Sequence, residues 1–200
     1  AFIIQNIRDI KNPALINYLL ERGINVNIAM HHCKEVSYLV NDKYYFAIGY
    51  KNDINGYELR NKYFKGCTSK APTTNGVGND VCKVFEGFVD YLSYLTLKNT
   101  FHLQESSVVL NSVSNLEKAQ SFIKSHNTIM TYLDNDEAGQ RAISFLKSFG
   151  KNLIDKSSHY QNHKDLNDYL VNKNNLKNKL TDDIDESIKS EQSNSYRRKR

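Results

Sequence analysis

Apolar residues along this 200-residue chain change their spacing near residue 80, and the change divides the sequence into two differently built halves. In the first half, Leu15, Tyr18, Leu19 and Arg22 follow Pro13 at helical spacing. Gly23 stands where a helix ends, so a helix is predicted over Pro13–Arg22. Val36–Val40 and Tyr44–Tyr50 are rich in aromatic and branched residues and predict strands. Asn55-Gly56 is a turn signal leading into Tyr57–Leu59, so Tyr44–Leu59 reads as a hairpin. From Arg60 to Asn79 the chain is polar, contains glycine and has no clear period. It reads as a long loop or connector.

The second half alternates. Val81–Phe85 is an apolar run of strand length, and Phe88, Tyr91, Leu92, Tyr94 and Leu95 then take helical spacing. Ser107–Leu110 and Thr128–Leu133 repeat the strand pattern, followed by helical stretches over Leu116–Ile123 and Glu137–Phe149. Strands alternating with helices of this length predict βαβ units and a parallel sheet. Leu166–Val171 and Leu176–Leu180 read as short helices, and from Thr181 the chain is charged and poor in apolar residues. The expected fold is α/β, a parallel sheet flanked by helices and preceded by a smaller α+β subdomain. The expected units are residues 1–80, residues 81–175 and a charged, flexible tail over 176–200.

Composition narrows the function classes. No apolar run approaches the ~20 residues that span a bilayer, and no signal-peptide pattern opens the chain. The start at Ala1 rather than Met reads as that of a fragment. Three widely spaced cysteines, Cys33, Cys67 and Cys82, fit reduced thiols and a cytoplasmic location. Arg197, Arg198, Lys199 and Arg200 supply four of the net +5 charges, so the remaining chain is nearly neutral. Nucleic-acid binding must therefore be argued from local patches. His31-His32-Cys33 lacks a second ligand pair at zinc spacing and reads as a helix end or loop.

Two acidic motifs fall at equivalent places in the alternating half. Glu86 follows the first parallel strand, and Asp134 and Asp136 follow the third. Open parallel sheets build ligand sites at the carboxyl ends of their strands. Three carboxylates converging there repel one another and raise each other's proton affinity. A divalent cation removes that penalty, and Mg²⁺ favours carboxylate and water oxygens. Metal ions so held can activate a hydroxyl and neutralise a leaving pyrophosphate. Asp90, four residues after Glu86, reads either as a first-turn acid of the following helix or as a further metal-site acid. Arg60, Lys62, Lys65 and Lys70 lie in an interval without an acid, the best local patch for an anionic ligand. Asn111–Asn115, after the second strand, can offer backbone N–H groups to a phosphate.

Glu86-Gly87-Phe88-Val89-Asp90 and Asp134-Asn135-Asp136-Glu137-Ala138-Gly139 reproduce an E-G-x-x-D block followed by D-x-D-x-x-G. This pairing resembles the Toprim domain of DnaG-type bacterial primases, topoisomerases and some nucleases. His163–Leu170 resembles the lysine–aspartate block that follows D-x-D in primases. Tyr18–Ile24, Phe46–Tyr50 and Tyr57–Tyr63 resemble the subdomain that precedes the Toprim fold there. The resemblance implies a primase catalytic core, of the kind carried by plasmids or mobile elements. It would be a nucleotidyltransferase making RNA primers on single-stranded DNA from ribonucleoside triphosphates.

It also implies Mg²⁺ or Mn²⁺ held by Glu86, Asp134 and Asp136, with Asp165 as a further metal-site acid; Asp90 keeps both of its readings. Arg60, Lys62, Lys65 and Lys70 would guide template or nucleotide, and a replicative helicase would be a partner. Where the family has a second acid two residues after Asp165, this chain has Asn167. A Toprim nuclease or topoisomerase-like enzyme and a non-catalytic DNA-binding Toprim module are the alternatives.

Overall fold

In the computed structural model, which describes residues 2–176, two five-stranded sheets flank a shared layer of helices. Helix α1 (Pro13–Glu21) starts as its sequence dictates: the Asn12 side chain accepts from Ala14 N and Pro13 fills the first turn. It ends at Arg22 and Gly23, whose φ of 66° suits a residue without Cβ. Helix α2 (Val26–His32) follows and runs directly into a strand.

The first sheet is antiparallel throughout, in the order β1 (Ile3–Arg8), β2 (Cys33–Val40), β3 (Lys43–Lys51), β4 (Tyr57–Arg60) and β5 (Lys65–Cys67). Asn41 and Asp42 join β2 to β3 with φ of 49° and 60°, the two positive values that a tight hairpin turn requires. On one face Val36, Tyr38, Ala47 and Leu59 form a small core with Phe2 and Phe64. On the other, Cys33, Ile48 and Tyr50 pack against the helices. Buried Glu35 ties β1 to α1 by accepting from Arg8 at 2.6 Å and from the N–H groups of Lys11 and Asn12.

The second sheet has the order β10 (Asn152–Asp155), β9 (Thr128–Tyr132), β7 (Val81–Phe85), β8 (Ser106–Val109) and β6 (Thr73–Asn75). The first four strands are parallel, and β6 pairs antiparallel to β8. This is the parallel sheet that alternating apolar runs predict. Helices α4 (Leu116–Lys124) and α5 (Glu137–Lys147) cover one face, burying Leu116, Ile123, Ile143 and Leu146 against Val84, Val108 and Ile129. Helix α3 (Phe88–Lys98) covers the other face and is buried continuously from Phe88 to Leu95. It meets the sheet on one side and α1, α2 and the helix over 166–176 on the other, in a single apolar cluster.

Two expectations are corrected. The segment Arg60–Asn79 is not one long loop: it contributes β5 to the first sheet and β6 to the second. Lys65-Gly66-Cys67 and Thr73-Thr74-Asn75 carry no apolar alternation, because both are three-residue edge strands fixed by backbone pairing. In place of a short helix over Leu166–Val171 the chain is helical throughout 166–176, here α6. The rest of the helix expected over Leu176–Leu180, and the tail beyond it, lie outside the described residues. No helix among the described residues is long and apolar enough to cross a membrane.

Candidate functional site

Three chain segments meet at the carboxyl ends of β7 and β9. Strand β7 delivers Glu86 and Gly87, and α3 begins at once, so Asp90 falls in its first turn. Strand β9 delivers Leu133 and Asp134. The third segment, over 160–165, is docked on the second through its carbonyls and the Tyr160 hydroxyl. The Tyr160 hydroxyl donates to Leu133 O at 2.9 Å. Asn135 Nδ2 donates to Tyr160 O at 2.9 Å and to His163 O at 2.8 Å, and Asn135 N donates to Lys164 O at 2.8 Å. These bonds hold Asp165 at the head of α6, where it accepts from Asp168 N at 2.7 Å.

The result is a carboxylate triad. Asp90, Asp134 and Asp165 each offer an oxygen, and the three oxygens lie within 4.8 Å of one another. Asp90 is buried, and the other two are half-buried. Burial, then the charges of Asp165 and Asp134, hold the Asp90 carboxyl well above its ordinary range, although Asn167 N donates to it. Burial and then Glu86, Asp165 and Asp136 push Asp134 up to about 7. Such a group of oxygens is costly as bare anions and suits a hard divalent cation, which replaces proton affinity by coordination. The residues present therefore fit a divalent metal ion, and Asp90, Asp134 and Asp165 are the ones that could hold it.

Glu86 borders this triad. Its Oε2 accepts from Asp134 N at 3.1 Å, and burial, with Asp136 adding to it, raises its carboxyl. Asp136, grouped in sequence with Glu86 and Asp134, acts on both of their carboxyls by its charge but lies outside the triad. It is exposed, and it caps α5 by accepting from Gly139 N at 2.9 Å. In an extended strand the two aspartates of D-x-D would share a face. Here the chain turns into α5 at Asp136, which sends the second side chain to the helix end.

Cations line the other wall of the same cleft, which has a volume of about 150 Å³ and opens to solvent. Arg60 and Lys65, from β4 and β5, are in that wall, and Arg60 Nε donates to the Tyr18 hydroxyl at 3.1 Å. Lys62 is turned away and pairs with Glu21 at 3.0 Å. Lys70 is not in the cleft wall, and its carbonyl accepts from Lys118 Nζ at 2.6 Å. Asn111 and Ser112 form the lip beyond β8.

Three residues to which the sequence pattern gave no role at the site complete the cleft: Arg22, Lys164 and Glu58. Arg22 and Lys164 add positive charge to the wall. Arg22 Nε is buried without a hydrogen-bond partner among the described residues. Its position just before Gly23 is the one local sign, since it places the side chain at the end of α1 facing the sheets. Glu58 is a nearly buried acid in the cleft wall. Its carboxyl is pushed up to about 7 by burial, against the pull of Lys65 and Lys70.

Asn167 explains the departure after Asp165. It is fully buried, and its Nδ2 donates to Arg22 O and to Ser93 Oγ, both at 2.8 Å. A carboxylate has no donor for those two bonds. The amide at 167 thus fastens α6 to the end of α1 and to α3.

Residues 83–170 match the family described as Toprim-like, and residues 4–69 match a domain of unknown function (DUF8464). No curated protein matches the chain. Among solved structures, it resembles the primase fragment of the bacteriophage T7 primase-helicase protein. That match has 16% identity and a TM-score of 0.59, and covers 84% of this chain and 76% of that one. The Aquifex aeolicus primase (zinc-binding and RNA polymerase domains) is 15% identical with a TM-score of 0.48. There 72% of this chain is covered, and the chain spans about half, 49%, of that protein. Residues 83–170 are a Toprim-like domain, carried on a fold shared with a phage primase fragment.

Proposed function

We propose that the chain is the catalytic core of a DNA primase, joining ribonucleoside triphosphates into RNA primers on single-stranded DNA. The observation that carries this reading is the Asp90–Asp134–Asp165 triad facing Arg22, Arg60, Lys65 and Lys164 across one cleft. The T7 fragment of the same fold comes from a primase-helicase, which supports the choice among Toprim chemistries and points to a helicase as partner. A cytoplasmic site of action accords with three free cysteines.

In this reading Asp90, Asp134 and Asp165 hold Mg²⁺ or Mn²⁺, and Glu86 stands beside them to accept the proton of the attacking 3′-hydroxyl. The metal, when bound, supplies charge neutralisation at the phosphoryl group and lowers the pKa of the hydroxyl. The protein's own cations do the positioning. Arg22 and Lys164 take phosphate oxygens next to the triad. Arg60 and Lys65 hold a second stretch of phosphate, nucleotide or template, on the sheet wall.

The test is primer synthesis on single-stranded DNA with labelled ribonucleotides and Mn²⁺. Extension products are expected from the native chain and are expected to vanish in Asp134→Ala and Asp165→Ala. Products that persist in both variants would sink the site. Cleavage of DNA in the absence of nucleotides, with no synthesis in their presence, would identify a nuclease.

A further inference from the structure

A second groove lies on the α3 side of the parallel sheet, behind the segment that carries Asp165. It is floored by Tyr94 and Tyr132, walled by Tyr169, and rimmed by Lys98, Lys156 and Lys173, and it has a volume of about 340 Å³. Tyr160 separates it from the triad, since its ring lines this groove while its hydroxyl donates to Leu133 O. None of the three lysines forms an ion pair among the described residues.

The acids nearby are already engaged. Asp155, next to Lys156 in sequence, accepts from Thr131 Oγ1, Ser157 N and Ser157 Oγ. Glu105, whose charge acts on Tyr132, is paired with Lys83 at 2.6 Å. No aspartate or glutamate is among the residues that line the groove. Positive charge is thus concentrated there without a described counter-charge, over an aromatic floor. Ammonium groups serve phosphate as point charges, and tyrosine faces take a nucleobase by stacking.

We propose that this groove is a second, metal-independent site for a nucleotide unit, its phosphate on Lys98, Lys156 and Lys173 and its base against the tyrosines. The unit is either a free nucleotide or part of a nucleic-acid strand, and the chemistry of recognition is the same. The proposal does not depend on the assignment of primase activity, because it uses none of the triad's residues.

The experiment is fluorescence anisotropy on the full chain in EDTA, with a fluorescent ATP analogue in one arm and a labelled oligo-dT in the other. EDTA removes binding that depends on metal at the triad, and the groove variants then separate the groove from the cations of the triad cleft. Binding in either arm is expected, and which arm binds identifies the source of the nucleotide. Lys98→Glu with Lys173→Glu is expected to weaken it about tenfold or more, and the Lys→Ala pair to lower the oligonucleotide salt slope by about one per lysine. Tyr169→Ala is expected to weaken it by about fivefold or more through lost stacking. The charge-matched control Lys147→Glu with Lys151→Glu is expected to leave it unchanged. No binding in EDTA, or binding that the control pair weakens as much as the groove pair, would overturn the proposal. Circular dichroism of each variant separates loss of the site from loss of the fold.

Discussion

The carbonyl oxygen of Asp134 occupies the space that a Cβ on residue 139 would need, so only Gly139 lets α5 close against the strand end carrying this carboxylate. The glycine of D-x-D-x-x-G is therefore a matter of contact, since its φ is not among the positive ones. Gly139→Ala is expected to destabilise the fold by about 1–3 kcal/mol, as overpacking does. It should also weaken Mn²⁺ binding, because Asp134 must shift. Urea denaturation and calorimetric titration read the two effects, and an unchanged midpoint would refute the contact.

Asn167→Asp separates a structural amide from a missing metal ligand. The substitution removes both Nδ2 donations and adds an anion beside Asp90. A loss of about 2 kcal/mol or more is expected because the Arg22 carbonyl and the Ser93 hydroxyl oxygen lose their donor in a buried site. Metal affinity is expected to fall or stay level. A gain in affinity at unchanged stability would show that the position is a ligand position after all.

Asp136 invites a paired test. Asp136→Asn keeps an oxygen for Gly139 N and should leave stability near that of the native chain. Asp136→Ala should cost about 1 kcal/mol by loss of the cap. If primer synthesis falls equally in both while only Ala melts earlier, the charge of Asp136 acts in the reaction through the cleft's field.

The pH dependence of the metal-free protein follows from Asp134. Its folded carboxyl, near 7, binds a proton more tightly than the same group in the unfolded chain, whose value is the ordinary 3.8. Between these values the folded state holds more protons, so stability falls as pH rises from about 4 to about 7 and then levels. Asp90, raised in the same direction by burial and its acidic neighbours, adds to that fall. Saturating Mn²⁺ should raise Tm more at about pH 8 than at about pH 5.5, where protons compete for the same oxygens. Equal Tm gains at both pH values would contradict the triad as the ligand set.

Glu58 gives an independent check away from the triad. Its ionisation near pH 7 is opposed by burial. Glu58→Gln should therefore be more stable than the native chain by a margin that is small at about pH 5 and grows until about pH 8. A margin that does not vary with pH would mean that Glu58 ionises freely in the folded state.

The parallel sheet was legible because Val81–Phe85, Ser107–Leu110 and Thr128–Leu133 are apolar runs separated by helical spacing. The strand ends bearing Glu86 and Asp134 came with them. What was hidden depends on tertiary contact. Strand β1 has all six residues exposed at a sheet edge, so no burial pattern marks it. Strands β5 and β6 exist through backbone pairing alone. Asp90 looks in sequence like any first-turn acid. Its place in the triad is set by Asn135, which draws the 160–165 segment to β9 from more than twenty residues away. Asp136 looks equal to Asp134 until the turn into α5 separates them.

Strand β6 gives the cleft a mechanical character. The chain leaving the first sheet is stitched to β8, and Asn111 Nδ2 donates both to Ala71 O and to Thr73 Oγ1. The connector between the two sheets is thus itself bonded to the lip of the cleft. Swinging the sheets apart requires peeling β6 from its edge, one bond after another. The two walls behave as a vice set to a fixed gap, and it is the ligand entering between them that must bend to fit.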